Sequence, residues 1–181
     1  SEHPGLRDRI VIQSKCGIRM SGEGRNGRPV PTRFDFSYRH IVESTEEILR
    51  RLQTDYLDLL LLHRPDPLME PQEVARAFSE LEEQGKVRHF GVSNQSAAQI
   101  RLLESAVDQP IVTNQLEVSL LHPDLLVAGT AINQREPGYP MRNEGTLEFC
   151  RERGIAIQAW APLAKGLLTG AATSDAPENV R

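Results

Sequence analysis

The sequence is short of cysteine, and this shortage excludes two kinds of structure. Only two cysteines occur among 181 residues, Cys16 and Cys150, and no CxxC spacing is present. Neither a disulfide framework nor a metal site is therefore expected. We expect both cysteines to be small core residues of a protein in a reducing compartment.

Long hydrophobic runs are also absent. No segment approaches the roughly 20 apolar residues that a membrane helix needs, and residues 1–9 have none of the features of a signal peptide. We therefore expect a cytoplasmic protein with no membrane partner.

Charge of one sign is not in excess. The 21 Lys and Arg residues nearly balance the 25 Asp and Glu residues, for a formal net charge of -4. A nucleic-acid surface would need clustered basic charge, so we expect no nucleic-acid partner and a small-molecule substrate instead. The 39% of hydrophobic residues suffices for the core of a single domain over 1–181, and no feature of the sequence indicates an oligomeric state.

Short apolar runs alternate along the chain with patterns of helical spacing. The apolar and β-branched runs predict strands at 9–15, 57–62, 89–94, 112–118 and 156–163. Helical spacing predicts helices at 37–53, 71–85 and 96–106, a helical turn at 120–126, and a helix from Asn143 or Thr146 to Gly154. Segments 19–36 and 127–142, which are interrupted by Gly and Pro, are predicted to be loops.

Three residues are expected to begin helices. Ser37 and Ser96 can cap a helix, and Pro71 suits a first turn. The residues predicted to face the core are Ile41, Thr45, Ile48 and Leu52 in the first helix and Val74, Phe78 and Leu81 in the second.

Strands that alternate with helices predict βα units around a parallel sheet, either an open doubly wound sheet or a closed barrel. No GxGxxG follows any strand, which disfavours the doubly wound alternative. Polar or aromatic residues stand instead at the C-terminal tip of every strand, as in barrel enzymes. They are Lys15, His63, Ser93, Asn94, Gln115 and Trp160. A (β/α)8 TIM barrel is therefore favoured, and because eight units need about 250 residues, this chain is expected to supply only about five.

His63 follows the apolar run YLDLLLL, which Pro65 and Pro67 end. A lone histidine there could simply satisfy a loop carbonyl, and Lys15 on the preceding strand could simply extend its ammonium group to water. Two ionisable groups on neighbouring tips are a stronger signal of function than either alone. Lys15 could serve in an acid/base relay or form a Schiff base.

The remaining tips carry groups that suit a planar ligand. Ser93, Asn94 and Gln115 can bond a carboxamide, or can act only as turn formers. Trp160 can stack on a heterocycle, or can fill a core. The segment APLAKGLLTG has small residues that let backbone N–H groups approach a phosphate, although it lacks the GK[ST] signature.

Five motifs occur in order: IVIQSKCG, YLDLLLLHRPDP, GKVRHFGVSN, VTNQLEVSLL and AIQAWAPLAKGLLTG. Together they resemble the aldo-keto reductase family, and bacterial-type NADPH-dependent oxidoreductases in particular. The resemblance covers nearly the whole chain. It implies a (β/α)8 barrel that reduces aldehyde or ketone carbonyls with NADPH.

The resemblance also implies residue roles. Lys15 and His63 stand at the lysine and histidine of a catalytic tetrad that also contains aspartate and tyrosine. The positions that match the family's cofactor contacts are Ser93, Asn94, Gln115, Trp160, Ala161, Pro162, Leu163, Gly166 and Leu167. Many relatives have serine where this chain has Ala161, so only backbone contacts to the pyrophosphate are expected there.

Other parts of the family pattern are expected to lie outside this chain. The tetrad aspartate and tyrosine precede the strand of Lys15, and the residues that select NADP over NAD follow the last strand. We expect the third to seventh βα units here, and we expect the 181 residues alone to be inactive. Two alternatives remain open: a regulatory nicotinamide-binding barrel without turnover, and a barrel aldolase with a Schiff-base lysine.

Overall fold

The structure is a computed structural model that describes residues 5–23, 28–128 and 145–170. In chain order the strands are Gln13–Cys16 (β1), Ile18–Arg19 (β2), Gly22–Glu23 (β3), Pro29–Val30 (β4), Arg33–Phe34 (β5), Leu57–Leu62 (β6), Val87–Ser93 (β7), Ile111–Glu117 (β8) and Ala156–Trp160 (β9). The helices are Tyr38–Leu52 (α1), Pro71–Glu83 (α2), Ala97–Glu104 (α3), Asp124–Val127 (α4) and Thr146–Arg153 (α5), with 3-10 helices at Arg7–Arg9 and Ala164–Thr169.

The longer strands form one parallel sheet in the order β1-β6-β7-β8-β9. Helices α1, α2, α3 and α5 each lie between consecutive strands of this sheet in the chain. Spatial order therefore follows chain order, as it does in a βα barrel, and does not reverse as it does in a doubly wound sheet. The prediction of five parallel strands alternating with helices is confirmed.

Strand β6 is buried on both faces. Leu60 and Leu62 belong to the core between the sheet and the helices, which also contains a stack of Phe78 on Phe90 with ring centroids 4.0 Å apart. Leu59 and Leu61, which alternate with them, are buried as well. The unbroken leucine run is thus what a strand covered on both faces requires.

Close approach of the strands explains Gly91 in β7. A Cβ atom at this position would lie 2.6 Å from Leu61 Cδ2 and 2.9 Å from the Thr113 carbonyl oxygen. Both distances are shorter than real Cβ contacts, so only glycine lets β7 pass between its neighbours here.

The predicted helix starts are confirmed. Ser37 Oγ accepts a hydrogen bond from the His40 N–H at 3.4 Å, and Ser96 forms a reciprocal capping box with Gln99. Pro71 occupies the first turn of α2, where its missing N–H has no cost. The predicted stripe Val74, Phe78 and Leu81 is fully buried.

The predicted stripe of α1 is wrong at one residue. Ile41 and Thr45 are buried, but Leu52 is 49% exposed, and Leu49 is buried in its place. Leu52 is the last residue of α1, and Gln53 turns the chain into the left-handed region directly after it. The final turn therefore ends on the solvent side of the helix.

The prediction of a simple loop at 19–36 is also wrong. Two short antiparallel ladders form there, one between β2 and β5 and one between β3 and β4. An ion pair of 2.5 Å between Arg19 and Asp35 joins the two ends of this segment. Strands of two residues are too short for an apolar alternation to reveal them.

Two predicted strand boundaries differ from the structure by three or more residues. Strand β1 begins at Gln13 and not at residue 9, because the chain at Arg7–Arg9 is a 3-10 turn. Strand β9 ends at Trp160 and not at 163, because Ala161 has a φ of 50°. Most of the predicted loop 127–142, like Asn143, lies outside the described residues, whereas Thr146 is the first residue of α5.

Both cysteines are free and buried, which confirms the prediction of core residues. Burial raises the pKa of the Cys16 thiol to about 12 and is the main cause of the raised pKa of Cys150. Within the described ranges no helix is both long and apolar enough to cross a membrane, and no group of three potential metal ligands occurs.

Candidate active site

Strand register brings most of the predicted site residues to one end of the sheet. Lys15 pairs with Leu61, so His63 lies two residues further toward the C-terminal end of β6. Paired residues of parallel strands point to the same face. We call each set of residues paired across the sheet a level, so that successive levels on one face are two residues apart along each strand. One level above Lys15, four side chains therefore stand in a row across the sheet: His63, Ser93, Gln115 and Gln158.

Asn94 is the centre of the hydrogen bonds at this end. It follows β7 with a φ of 59°, a left-handed conformation that asparagine tolerates better than most residues. Its Nδ2 donates to Ser93 Oγ at 2.8 Å and to the His63 carbonyl oxygen at 3.3 Å. Its Oδ1 accepts from Trp160 Nε1 at 3.0 Å. One side chain thus connects the ends of β6, β7 and β9.

The ends of β7 and β8 are joined through the Gln115 backbone. Its carbonyl oxygen accepts both the Ser93 hydroxyl, at 3.0 Å, and the Asn94 N–H, at 2.9 Å. The Gln115 side chain donates from Nε2 to Gln158 Oε1 at 3.1 Å. Its own Oε1 has no hydrogen bond to a described residue, so this acceptor is open to a ligand.

Trp160 leans from the edge strand β9 over the ends of the inner strands. Its indole N–H reaches Asn94, two strands away, and its ring is half-buried. The Arg64 Cζ atom lies 5.5 Å from the ring centroid. Asp66, in the turn after β6, does not pair with Arg64, and its carboxylate accepts the backbone N–H groups of Phe36 and Leu68.

The imidazole of His63 is half-buried and makes no hydrogen bond to the described part of the chain. Burial lowers the pKa of His63, and the positive charges of Lys15 and Arg64 lower it further. The ring is therefore neutral at physiological pH. A neutral imidazole can donate one hydrogen bond to an oxygen atom without adding charge to the site.

Lys15 is half-buried in β1. No ion pair to it is found within residues 5–23, 28–128 and 145–170. Its charge is thus available to a group that enters from outside these residues, and it lies one level below His63.

The segment after β9 has an unusual backbone. Ala161, Ala164, Lys165 and Gly166 all have positive φ values, between 47° and 95°. Leu163 (φ -99°, ψ 18°) and Ala164 (φ 47°) form one pair of a right-handed and a left-handed residue, an arrangement that occurs in anion sites. The N–H groups of Ala164 and Gly166 already donate to the carbonyl oxygens of Ala161, at 2.8 Å, and Leu163, at 3.0 Å. Pro162 and Leu163 are exposed in this turn, and Gly166 and Leu167 are half-buried in the 3-10 helix that follows.

Two residues of the site were missed by sequence reasoning. Gln158 was read only as part of an apolar strand, although period-two alternation places it on the same face as Trp160. Arg64 was read only as a turn residue. Its contact with Trp160 depends on the reach of two long side chains across the sheet, which no local pattern reveals.

Comparison with known proteins identifies the family. The model of the aldo/keto reductase family matches residues 1–180. The chain belongs to the aldo/keto reductase family. It is 50% identical over 165 residues to the oxidoreductase YdhF of Escherichia coli, an alignment that covers 91% of this chain and 49% of that protein.

Two further likenesses support the assignment. The chain is 42% identical over 165 residues to the uncharacterized oxidoreductase YcsN of Bacillus subtilis, covering 90% of this chain and 49% of YcsN. The solved structure of the aldo-keto reductase AKR11C1 from Bacillus halodurans, in its holo form, matches with a TM-score of 0.71 and 26% identity, over 96% of this chain and 50% of that one.

These matches confirm the predicted barrel class and the family. They also show that the chain spans about half the length of the curated relatives it matches. The five parallel strands are thus part of a TIM-barrel fold. The roles of Lys15, His63 and the cofactor residues remain predictions.

Proposed function

We propose that the protein is an NADPH-dependent oxidoreductase that reduces aldehyde or ketone carbonyls to alcohols. The observation that carries this proposal is the gathering of His63, Asn94, Gln115 and Trp160 at one end of the sheet, one level above Lys15. Membership of a family whose relatives are named oxidoreductases supports it. When bound, NADPH supplies the hydride.

The residues present fit the nicotinamide end of this cofactor. The open Oε1 of Gln115 is an acceptor for the amine of a carboxamide, and Trp160 offers an aromatic face. Asn94 has both polar atoms engaged, so contact with the carboxamide requires it to exchange a bond. The 3.3 Å bond from Nδ2 to the His63 carbonyl oxygen is the longest of its three and the one it exchanges at least cost.

The phosphates would be held by backbone. Ala161, Pro162, Leu163, Gly166 and Leu167 belong to the turn and 3-10 helix with positive φ values, and residues 161–170 include no carboxylate. Ala161 has no hydroxyl, so its contribution is limited to its N–H group. Backbone N–H groups can favour an anion without a side-chain charge. Pro162 has no N–H, and the Gly166 N–H already donates to the Leu163 carbonyl oxygen at 3.0 Å, so contact with a phosphate would require Gly166 to exchange that bond.

The carbonyl substrate would lie against His63. The neutral imidazole donates a hydrogen bond to the carbonyl oxygen and fixes its orientation. Lys15 lowers the pKa of the tyrosine that the family uses as proton donor, because a nearby cation favours the phenolate. Acid/base assistance of this kind contributes about 10²–10⁴ in rate.

The cell location follows from the same chemistry. Cys16 and Cys150 are unpaired and buried, which suits the reducing cytoplasm where NADPH is abundant. These two thiols support the proposal of a cytoplasmic location.

The test uses the full-length protein, since the 181 residues alone are expected to be inactive, together with NADPH and a panel of aldehydes. We expect oxidation of NADPH in the presence of aldehyde, measured by loss of absorbance, and quenching of Trp160 fluorescence when NADPH is added. Quenching without turnover would favour the regulatory alternative. The absence of both quenching and turnover would refute the proposal. Trapping of a carbonyl compound on Lys15 by borohydride would favour an aldolase.

A further inference from the structure

Arg64 extends across the end of the sheet that carries the candidate site. It follows His63 on β6, yet its guanidinium carbon lies 5.5 Å from the ring centroid of Trp160 on β9. Three strand spacings separate β6 from β9, which is about 14 Å along the sheet. Arg64 and Trp160 therefore reach toward each other across the ends of β7 and β8, next to the imidazole that faces the substrate.

The charge of Arg64 is not neutralised by a carboxylate within the described ranges. Other arginines there form ion pairs, such as Arg7 with Asp58 at 2.8 Å and Arg76 with Glu73 at 3.9 Å. The nearest acid along the chain, Asp66, has its Oδ1 and Oδ2 on the backbone N–H groups of Leu68 and Phe36. Arg64 is exposed, and its N–H donors have no hydrogen-bond partner among the described residues, so they can bind a ligand.

The contact with Trp160 orients this fork. A guanidinium over an aromatic face is attracted to the ring and loses part of its rotational freedom. Its N–H edges then remain open to planar acceptors. Carboxylates and phosphates match this geometry with two parallel hydrogen bonds.

We propose that Arg64 is a specificity-determining residue that binds an anionic group, a carboxylate or a phosphate, on the carbonyl substrate. The inference rests on the proposed reductase function. The hydrogen bond from His63 fixes the carbonyl oxygen, and Arg64 holds the anion on the side of Trp160. A neutral carbonyl compound lacks the second contact and is bound less tightly.

The experiment compares matched substrates in the full chain. The carboxylate pair is 4-carboxybenzaldehyde and methyl 4-formylbenzoate, and the phosphate pair is glyceraldehyde 3-phosphate and glyceraldehyde. The test variants are Arg64→Gln and Arg64→Lys. The control is Arg76→Gln, which also removes an exposed arginine over an aromatic ring, 3.6 Å from the centroid of Tyr38.

Arg64→Gln is expected to lower kcat/KM for the charged member of at least one pair by about 10- to 100-fold, since hydrogen bonds to charged groups are lost. The neutral members change by less than about threefold, and Arg64→Lys recovers part of the loss because it keeps the charge but not the fork. The pair that responds identifies carboxylate or phosphate. Arg76→Gln leaves every ratio unchanged.

Equal losses for charged and neutral members would overturn the inference, as would a raised KM for NADPH with unchanged substrate ratios. Binding of 4-(hydroxymethyl)benzoate and of its methyl ester, followed by Trp160 fluorescence, gives a readout without turnover. If the wild-type protein reduces neither pair, the reductase proposal is judged by the aldehyde panel and by NADPH binding, and the role of Arg64 is judged by the binding of the alcohol and its ester. In this binding measurement the wild-type protein is expected to bind 4-(hydroxymethyl)benzoate more tightly than its methyl ester. Arg64→Gln is expected to lose this difference in affinity, and an unchanged difference would overturn the inference.

Discussion

Replacement of Asn94 by alanine is expected to lower the free energy of unfolding more than most substitutions outside the apolar core do. The side chain makes three hydrogen bonds, at 2.8, 3.0 and 3.3 Å, to three different strand ends. Each such bond contributes about 0.5–1.5 kcal/mol. The backbone φ of 59° adds about 1–2 kcal/mol for an alanine in the left-handed region.

Because the site is half-buried, water can replace part of the lost hydrogen bonding. The expected loss in the free energy of unfolding for Asn94→Ala is therefore about 2–4 kcal/mol. Asn94→Gly is the matched variant, since glycine adopts this φ without strain but also lacks the amide. It isolates the hydrogen bonds, and its expected loss is about 2 kcal/mol.

Urea unfolding of the full chain, followed by circular dichroism and by Trp160 fluorescence, measures both variants. A double-mutant cycle with Trp160→Phe isolates the bond from the indole N–H, expected to contribute about 1 kcal/mol. If Asn94→Gly is as stable as the wild type to within about 0.5 kcal/mol, the hydrogen bonds do not hold the strand ends together and the reasoning is refuted.

Three further predictions concern the neighbouring positions. Gly91→Ala should cost about 1–3 kcal/mol in urea unfolding because its Cβ overlaps two neighbours, whereas Gly22→Ala, which meets no atom within 4 Å, should be neutral; equal effects would contradict this. Lys15→Met should lower kcat by about 10²–10⁴ with the Kd for NADPH unchanged, and a weakened Kd with normal kcat would oppose the assigned role. The pKa of His63 should lie below 6.5 in an NMR titration, first because of burial and then because of Lys15 and Arg64, and Lys15→Met should raise it. Since the folded state then binds the proton less tightly than the unfolded state, His63 stabilises the fold fully above pH 6.5, and this contribution is lost as the pH falls toward the lowered pKa. A midpoint above 6.5 would be inconsistent with this environment.

The sequence was sufficient for the fold wherever one residue pattern decided the structure. The leucines of 57–62 predict a strand covered on both faces, and Pro65 and Pro67 predict its end at His63. Once the strands are parallel and follow chain order, their C-terminal ends must meet at one edge of the sheet. The common location of Lys15, His63 and Gln115 is thus a consequence of topology, which the sequence predicts.

Contacts that depend on register or on reach were not predictable in this way. The pairing of Gln115 with Gln158 requires the offset between β8 and β9, and a shift by one residue would turn Gln158 to the other face. Arg64 meets Trp160 only because both side chains extend across two intervening strands. The short ladders at 18–34 were missed because strands of two residues carry no apolar alternation, and the ion pair of Arg19 with Asp35 beside them is not readable from a local pattern.

The electrostatics of the site suit the reduction of a carbonyl group. In such a reaction negative charge develops on the carbonyl oxygen as the hydride arrives at carbon. His63 is kept neutral by burial and by two neighbouring cations, so it donates a hydrogen bond without giving up its proton. The charges of Lys15 and Arg64 both act on His63, and neither residue is paired with a carboxylate in the described ranges. Positive charge that is already in place where an oxyanion forms lowers the barrier, because no group has to reorganise during the reaction. The amide groups of Asn94 and Gln115 and the indole of Trp160 suit a planar nicotinamide, for which a Schiff-base aldolase has no use. The reductase proposal therefore takes precedence over the aldolase.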